Sequence, residues 1–282
     1  MVMMDEDATL GRVMEFMELI GLIAQTPVPR TGSGVFLAVD LTTEVADELL
    51  EHKDVNTAII YHPVIFSAIR SVTLAQPIQR SILRLIAAGV NIYCPHTCLD
   101  AIDGGINDWI AAGLQHDWEH ASLSDDHLYK LVRQGVNAKP IEPVSSPRTP
   151  KEGVGRTFSL ASAVPLSVLV ERAKVHFGVD HVQFAQGHGK SHDTQLKTVA
   201  VCAGSGGGVL RKAPEVDVWV TGELSHHEIL AAVAHGTSVI VANHTNTERR
   251  FFHSLFAPLL REQLPDITVY VSDKDLDPLQ FA

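Results

Sequence analysis

Only three cysteines occur in 282 residues, Cys94, Cys98 and Cys202, and no two of them stand in C-x-x-C spacing. That argues against a disulfide framework and a thiolate zinc knuckle, and it fits a reducing compartment. Positive charge is also scarce. Lys and Arg number 22 against 33 Asp and Glu, a formal charge of −11, and the basic residues are scattered. A phosphate backbone is gripped by a basic stripe, so direct binding of DNA or RNA is not expected. No apolar run approaches the ~18 residues of a membrane span. The opening MVMMDEDATLGRVMEFMELIGLIA has no basic region ahead of its apolar residues and carries acids where a transit peptide carries Arg. The expected placement is cytoplasmic or nuclear, with no membrane partner.

What is present suits a packed fold. Apolar residues make up 45% and charged residues 20%, which excludes disorder, collagen and coiled-coil arrays. The length accommodates one large domain or two small ones. An excess of carboxylates beside 15 histidines suits hard or borderline metal cations.

The spacing of Leu10, Val13, Phe16, Met17 and Ile20 predicts an amphipathic helix over 8–24, ended by Pro27, Pro29 and the run 31–34. A strand over 34–41, a helix over 42–52 capped by Thr42 or Thr43, and a strand over 57–61 follow, the last running into His62 and Pro63. A helix over 77–88 stopped by Gly89 then leads to a strand over 90–94 that ends on Pro95, His96 and Thr97. Strands separated by helices imply a largely parallel sheet, whose ligand sites lie beyond the strands' carboxyl ends. His62 and His96 both fall at such ends.

Periodicity fades over 121–151, where KPIEPVSSPRTPK accumulates Pro, Ser and Lys. This divides the chain into a first half, 1–130, a connection, 131–155, and a second half, 156–282. A helix over 165–175, a short strand over 182–184 and a loop over 186–193 open the second half. Strands over 198–202, 217–220 and 239–241, with a Gly-rich turn and a helix over 228–235 among them, then lead to His244 and Thr245. AAGVNIYCPHTCLD and AHGTSVIVANHTNTE each run from a Gly through an apolar strand into H-T-x-x-acid. The expected fold is α/β, two pseudo-repeated halves with mostly parallel or mixed sheets facing a shared crevice.

The paired motifs His96 to Asp100 and His244 to Glu248 are the sharpest feature. Four-residue spacing at a helix start puts imidazole and carboxylate on one face, about 6 Å apart at Cβ, where both can converge on one cation. One such pair alone reads as readily as a helix cap, Thr first and the acid three residues on. Two copies joined by His62 favour the metal, and mixed His and carboxylate donors suit Zn, Mn, Fe or Co rather than calcium. Two ions sharing a water lower its pKa so that it attacks as hydroxide. Two further features stay open. The turn Gly204 to Gly208 reads as an anion cradle or as a plain tight turn. His226, His227 and Glu228 read as a proton shuttle or as a helix start on the surface. Asn107, Asp108 and Trp109 read as helix packing after a Gly-Gly turn.

Five ordered blocks carry a family resemblance: YHPVIF (61–66), HTCLDAIDGGINDWIA (96–111), CAGSGGG (202–208), DVWVTGELSHHE (217–228) and NHTNTERRF (243–251). They resemble the dinuclear-metal, Nif-three-like family named after the NGG-one-interacting factor three, whose bacterial members carry the label GTP cyclohydrolase type 2 homologue. The resemblance implies a duplicated α/β fold assembled as a toroidal homohexamer, with two divalent transition metal ions facing an internal cavity. Carried over by motif, His62 and Asp100 hold one metal, His244 holds the other, Glu248 bridges both, and His96 is a ligand or its neighbour.

Two departures stand out. Tyr61 replaces a histidine ligand of many bacterial relatives, which leaves the second metal weaker or completed by water or another residue. The family's N-terminal W-D-N-V-G-L block is reduced to residues 17–22. The implied function is a metal-dependent hydrolase, cyclohydrolase-like or a phosphoesterase. It would act on a nucleotide-like or phosphorylated small molecule through a metal-bound hydroxide, with Glu248 and His96 catalytic. The alternative is a metal-stabilised ring that serves as an interaction scaffold in transcriptional regulation, its acidic surface meeting basic protein partners. Metal storage or delivery is a third reading.

Overall fold

The computed structural model describes residues 22–116, 124–145 and 147–279. Its contacts divide the chain into two compact units. The first takes the described residues up to Cys98 and adds Phe256–Pro278, and the second takes Leu99–Leu255. Among the described residues no helix is long and apolar enough to cross a membrane.

The first unit alternates strand and helix: β1 (Leu22–Ala24), β2 (Gly34–Ala38), α1 (Thr43–Glu51), β3 (Val55–Ile60), α2 (Pro77–Ala87) and β4 (Asn91–Cys94). Thr42 caps α1, its side chain accepting from Val45 N at 3.2 Å. Pro77 opens α2, where a missing N–H costs nothing. Gly89, at φ 80°, follows its end. Every residue of β2, β3 and β4 is buried, the mark of parallel strands covered on both faces. A strand from the far end of the chain, β11 (Thr268–Val271), pairs parallel with β2 and completes the order β1-β4-β3-β2-β11.

Of the expected opening helix, residues 8–21 lie outside the described residues. Residues 22–24 form β1 instead, antiparallel to β4 with Leu22 opposite Cys94. The open edge of β4 offers backbone donors and acceptors, and pairing with them outweighs a local apolar spacing.

In the second unit a short helix, α3 (Thr97–Ala101), carries the chain across from the first. Then come α4 (Ile106–Gln115), α5 (Asp125–Gln134), β5 (Lys139–Pro143), β6 (Gly153–Val164), α6 (Leu166–Phe177), β7 (Gln183–Ala185), β8 (Leu196–Ser205), α7 (Gly207–Leu210), β9 (Val218–Glu223), α8 (His226–Ala234) and β10 (Ser238–Val241). The sheet order is β5-β6-β8-β9-β10-β7. The stretch 131–155, where a connection is expected, thus contains β5 and the start of β6. Two prolines fit in β5 because it is an edge strand. β8, β9 and β10 are parallel and adjacent in chain order, with antiparallel β7 beside the third. The first sheet has the same plan in β2, β3, β4 and β1, which supports the duplication.

The second unit packs around α4, buried from Ile106 to Leu114. Its Trp109 lies 4.0 Å, centroid to centroid, from the His176 ring. A Cβ at Gly113 would stand 2.0 Å from His176 Nδ1, so only glycine admits the imidazole there. Neither nitrogen of His176 has a hydrogen-bond partner among the described residues. Burial, and then the Arg250 charge, hold its pKa down at about 3. In the unfolded chain histidine titrates near 6.5, so on acidification the unfolded state takes the proton first. Stability is therefore expected to fall by about 1.4 kcal/mol per pH unit from near pH 6.5 down towards 3. Thermal melts at pH 7, 6 and 5 should show this slope largely removed in His176→Leu; parallel slopes in the two proteins would refute it.

Candidate metal centre

In the first unit the backbone ladder continues beyond β3: Tyr61 N donates to Ala38 O (2.9 Å) and His62 N to Val39 O (3.0 Å). This brings His62 beside Asp40, and the Nδ1 to Oδ1 distance is 2.9 Å. His96 follows β4 in the left-handed region, at φ 41°, a conformation that costs energy in a non-glycine residue. Its N–H donates to Tyr61 O at 3.1 Å, and its Nδ1 lies 3.1 Å from Thr97 Oγ1. The His62 and His96 rings are 5.9 Å apart, and the buried Tyr61 ring lies 5.0 Å from one and 5.6 Å from the other. Phe66, 83% exposed, stands edge-on to His96.

In the second unit His244 follows β10. Its Nδ1 lies 3.0 Å from Glu223 Oε2, and its Nε2 lies 3.6 Å from Oε1 of the buried Glu248. A short 3-10 turn, Thr245–Thr247, sets the spacing between them. Its threonines do not act as helix caps: Thr245 Oγ1 accepts from Arg249 Nη2 (2.5 Å), and Thr247 Oγ1 donates to His244 O (2.7 Å) and accepts from Gly204 N (2.9 Å). The capping alternative is not realised at this motif. A Cβ on Gly204, at φ 60°, would stand 2.6 Å from Glu248 Oε1 and 2.8 Å from His244 Nε2. A Cβ on Gly222 would meet Gly204 O at 2.7 Å and His244 Cα at 2.8 Å. Gly204 therefore clears the space around the donors, and Gly222 lets the backbone at Gly204 and His244 approach β9.

Asp100 is tied to the same end of the second sheet through Asn107, which donates from Nδ2 to Asp100 O (3.0 Å) and accepts Ala203 N on Oδ1 (3.0 Å). The Cys202 thiol is pushed far up, first by burial and then by the negative charge of Asp100, Glu142 and Glu248, with Arg156 opposing. The side chains that gather here as possible donors are imidazole and carboxylate. Such a set suits Zn, Mn, Fe or Co. The residues present fit a divalent transition metal.

The structure thus brings His62 and His96 together in one unit, and in the other His244 with Glu248, whose charge acts with that of Asp100 on one thiol. Sequence reasoning missed Asp40, Glu223, Gly222 and the role of Asn107. Asp40 and Glu223 had a readable signal, since each is an acid at a strand's carboxyl end.

Geometry gives structural roles to the Gly-rich turn and to Glu228. In the Gly-rich turn, Gly206 N donates to Thr221 Oγ1 (3.1 Å), and a Cβ on Gly207 would lie 2.2 Å from Glu228 Oε1. The Glu228 carboxylate packs against the turn where a side chain at Gly207 would stand, which gives that glycine a structural reason. Glu228 closes a capping box with Ser225 and starts α8. A cleft of about 810 Å³ opens at the opposite end of this sheet, beside Thr198, Asp217, Trp219 and Thr237, and none of the candidate donors lines it.

The fold is of the mixed α/β class, whose open sheets take ligands beyond the carboxyl ends of their strands, and the candidate histidines and carboxylates lie at those ends. The chain belongs to the Duf34/NIF3 (NGG1p interacting factor 3) family, whose model matches residues 8–278. It is 38% identical over 264 residues to the protein NIF3 homolog of Schizosaccharomyces pombe, covering 92% of this chain and 88% of that one. It is 38% identical over 252 residues to NGG1-interacting factor 3 of Saccharomyces cerevisiae, with 88% and 81% covered. The fold is shared with the crystal structure of hypothetical protein SA1388 of Staphylococcus aureus, at TM-score 0.73 and 21% identity over 97% of each chain.

Proposed function

We propose that this chain is a dinuclear metal-binding protein, assembled as a homohexamer, that hydrolyses a nucleotide-like or phosphorylated small molecule. His62 and Asp100 serve one cation, His244 the other, and Glu248 both. The observation that carries the reading is the cleared space at Gly204, whose Cβ would intrude on His244 Nε2 and Glu248 Oε1. A glycine held at positive φ against an imidazole and a buried carboxylate preserves room that packing alone would fill.

Divalent cations bound by such donors polarise the oxygens of a substrate and acidify a coordinated water. The chain's own residues do the rest. The carboxylates of Asp100 and Glu248 supply the charge that draws cations in. His96, held at Nδ1 beside Thr97, exchanges a proton with the reacting group at its other nitrogen.

Elemental analysis of the protein as isolated is expected to find two transition-metal equivalents per chain, and Glu248→Gln to lose metal and turnover together. Metal-loaded protein that leaves a broad panel of nucleotides, phosphoesters and pterin precursors unturned would remove the hydrolase claim. A second reading, a metal-stabilised scaffold, is favoured by the name of the yeast relative, which records an interaction with NGG1. That reading gains if Glu248→Gln breaks the assembly and abolishes partner binding with no turnover seen in any form.

A further inference from the structure

A neutral imidazole carries one N–H and one lone pair, and only the lone pair binds a metal. A histidine ligand therefore has to be held in one tautomer with the correct nitrogen forward. We infer that Asp40 and Glu223 are positioning residues that do this, each accepting the Nδ1–H of one ligand histidine so that Nε2 carries the lone pair. The inference rests on the metal reading of His62 and His244 and adds two residues which that reading does not use.

Each unit supplies the arrangement on its own. In the first, Asp40 Oδ1 lies 2.9 Å from His62 Nδ1. In the second, Glu223 Oε2 lies 3.0 Å from His244 Nδ1, while the Nε2 side faces Glu248 at 3.6 Å. Backbone bonds set both pairs. His62 N donates to Val39 O (3.0 Å), next to Asp40, and Ala242 N donates to Thr221 O (3.0 Å), two residues before Glu223. Both pairs therefore span neighbouring parallel strands at or just beyond their carboxyl ends.

The pairs are not repeat equivalents. Asp40 and His62 follow the first and second parallel strands of their sheet, β2 and β3, whereas Glu223 and His244 belong to the second and third, β9 and β10. Duplication alone would have copied one gap into the other. The same pairing at different gaps points to a shared chemical requirement.

An ordinary exposed ion pair would do little for stability and nothing for metal binding. The side chains of Asp40 and Glu223 are 36% and 55% exposed, so this plain alternative has to be tested directly. Full-length protein would be stripped with chelator and titrated with Zn²⁺ and Co²⁺ as wild type, Asp40→Ala, Glu223→Ala, Asp40→Asn and Glu223→Gln. Each alanine variant is expected to lose about 10- to 100-fold in affinity, the usual effect of removing such a partner. The amide variants, which still accept the Nδ1–H, should recover much of that loss.

A merely structural role would not change tautomers. ¹⁵N spectra of the metal-free protein should show His62 and His244 protonated at Nδ1 in wild type and shifted towards the Nε2–H form in the respective alanine variant. Wild-type affinity and unchanged tautomers in both alanine variants overturn the inference while leaving the metal reading intact. A wild-type protein that takes up neither cation overturns both. Should an alanine variant fail to fold, the amide variants and the wild-type spectrum still decide: His62 and His244 found as Nε2–H tautomers in wild type sink the proposal.

Discussion

Gly204→Ala is expected to lower divalent-metal affinity by about 100-fold or more while the protein stays folded. The residue sits at φ 60°, and its new methyl would lie 2.6 Å from Glu248 Oε1 and 2.8 Å from His244 Nε2. Left-handed backbone in an alanine costs roughly 1 kcal/mol, which a domain of this size tolerates. The contacts matter more. Metal sites accept ligand distances within about 0.2 Å, and relieving two contacts this close demands larger shifts of both donors. Gly208→Ala is the matched control, because a Cβ there meets nothing within 4 Å. Zinc titration of the two variants checks the expectation. A Gly204→Ala protein that binds like wild type would show that the space serves some purpose other than a cation.

Asp108→Ala is expected to destabilise the second unit by about 3–5 kcal/mol. Arg156 is fully buried, and Asp108 meets it through two oxygens, at 2.7 Å from Nε and 2.9 Å from Nη2. The same guanidinium donates to the carbonyls of Gly155 (2.9 Å) and Ile102 (3.1 Å), and Asp108 Oδ2 also accepts Gly104 N (2.8 Å). Removing the carboxylate strands a positive charge away from water, which is worse than having no pair at all. Replacing both partners, as Asp108→Ala with Arg156→Met, should recover most of the loss. Urea unfolding followed by circular dichroism distinguishes the two proteins. A single variant within 1 kcal/mol of wild type would mean that water reaches Arg156. The sequence reading of Asp108 as helix packing is right about its place in α4 and silent on this pairing.

The first sheet was largely legible because its signals are local. Thr42 announces α1, Pro77 opens α2, and the apolar runs of β2, β3 and β4 read as buried strands. β11 was not visible, since its partner β2 lies more than two hundred residues away and no local pattern points to it. β1 was misread for a related reason, its state depending on the open edge of β4 rather than on its own spacing. β5 hid behind Pro140 and Pro143, residues that an edge strand accepts and a central one rejects.

At the candidate metal centre, His62, His96, Asp100, His244 and Glu248 could be picked out because four of them repeat one motif and His62 ends a strand. Asp40, Glu223 and Asn107 act over separations of 22, 21 and 96 residues, and nothing near them in the chain marks the partner each one meets.

The order of residues was enough to establish the α/β alternation and the duplication and to single out the candidate donors, because periodicity, caps and motif spacing are local properties. Folding decided which carboxylate meets which imidazole and which glycine keeps the donors clear. Those contacts depend on how strands align, and a slip of one residue would turn every side chain of a strand to the opposite face.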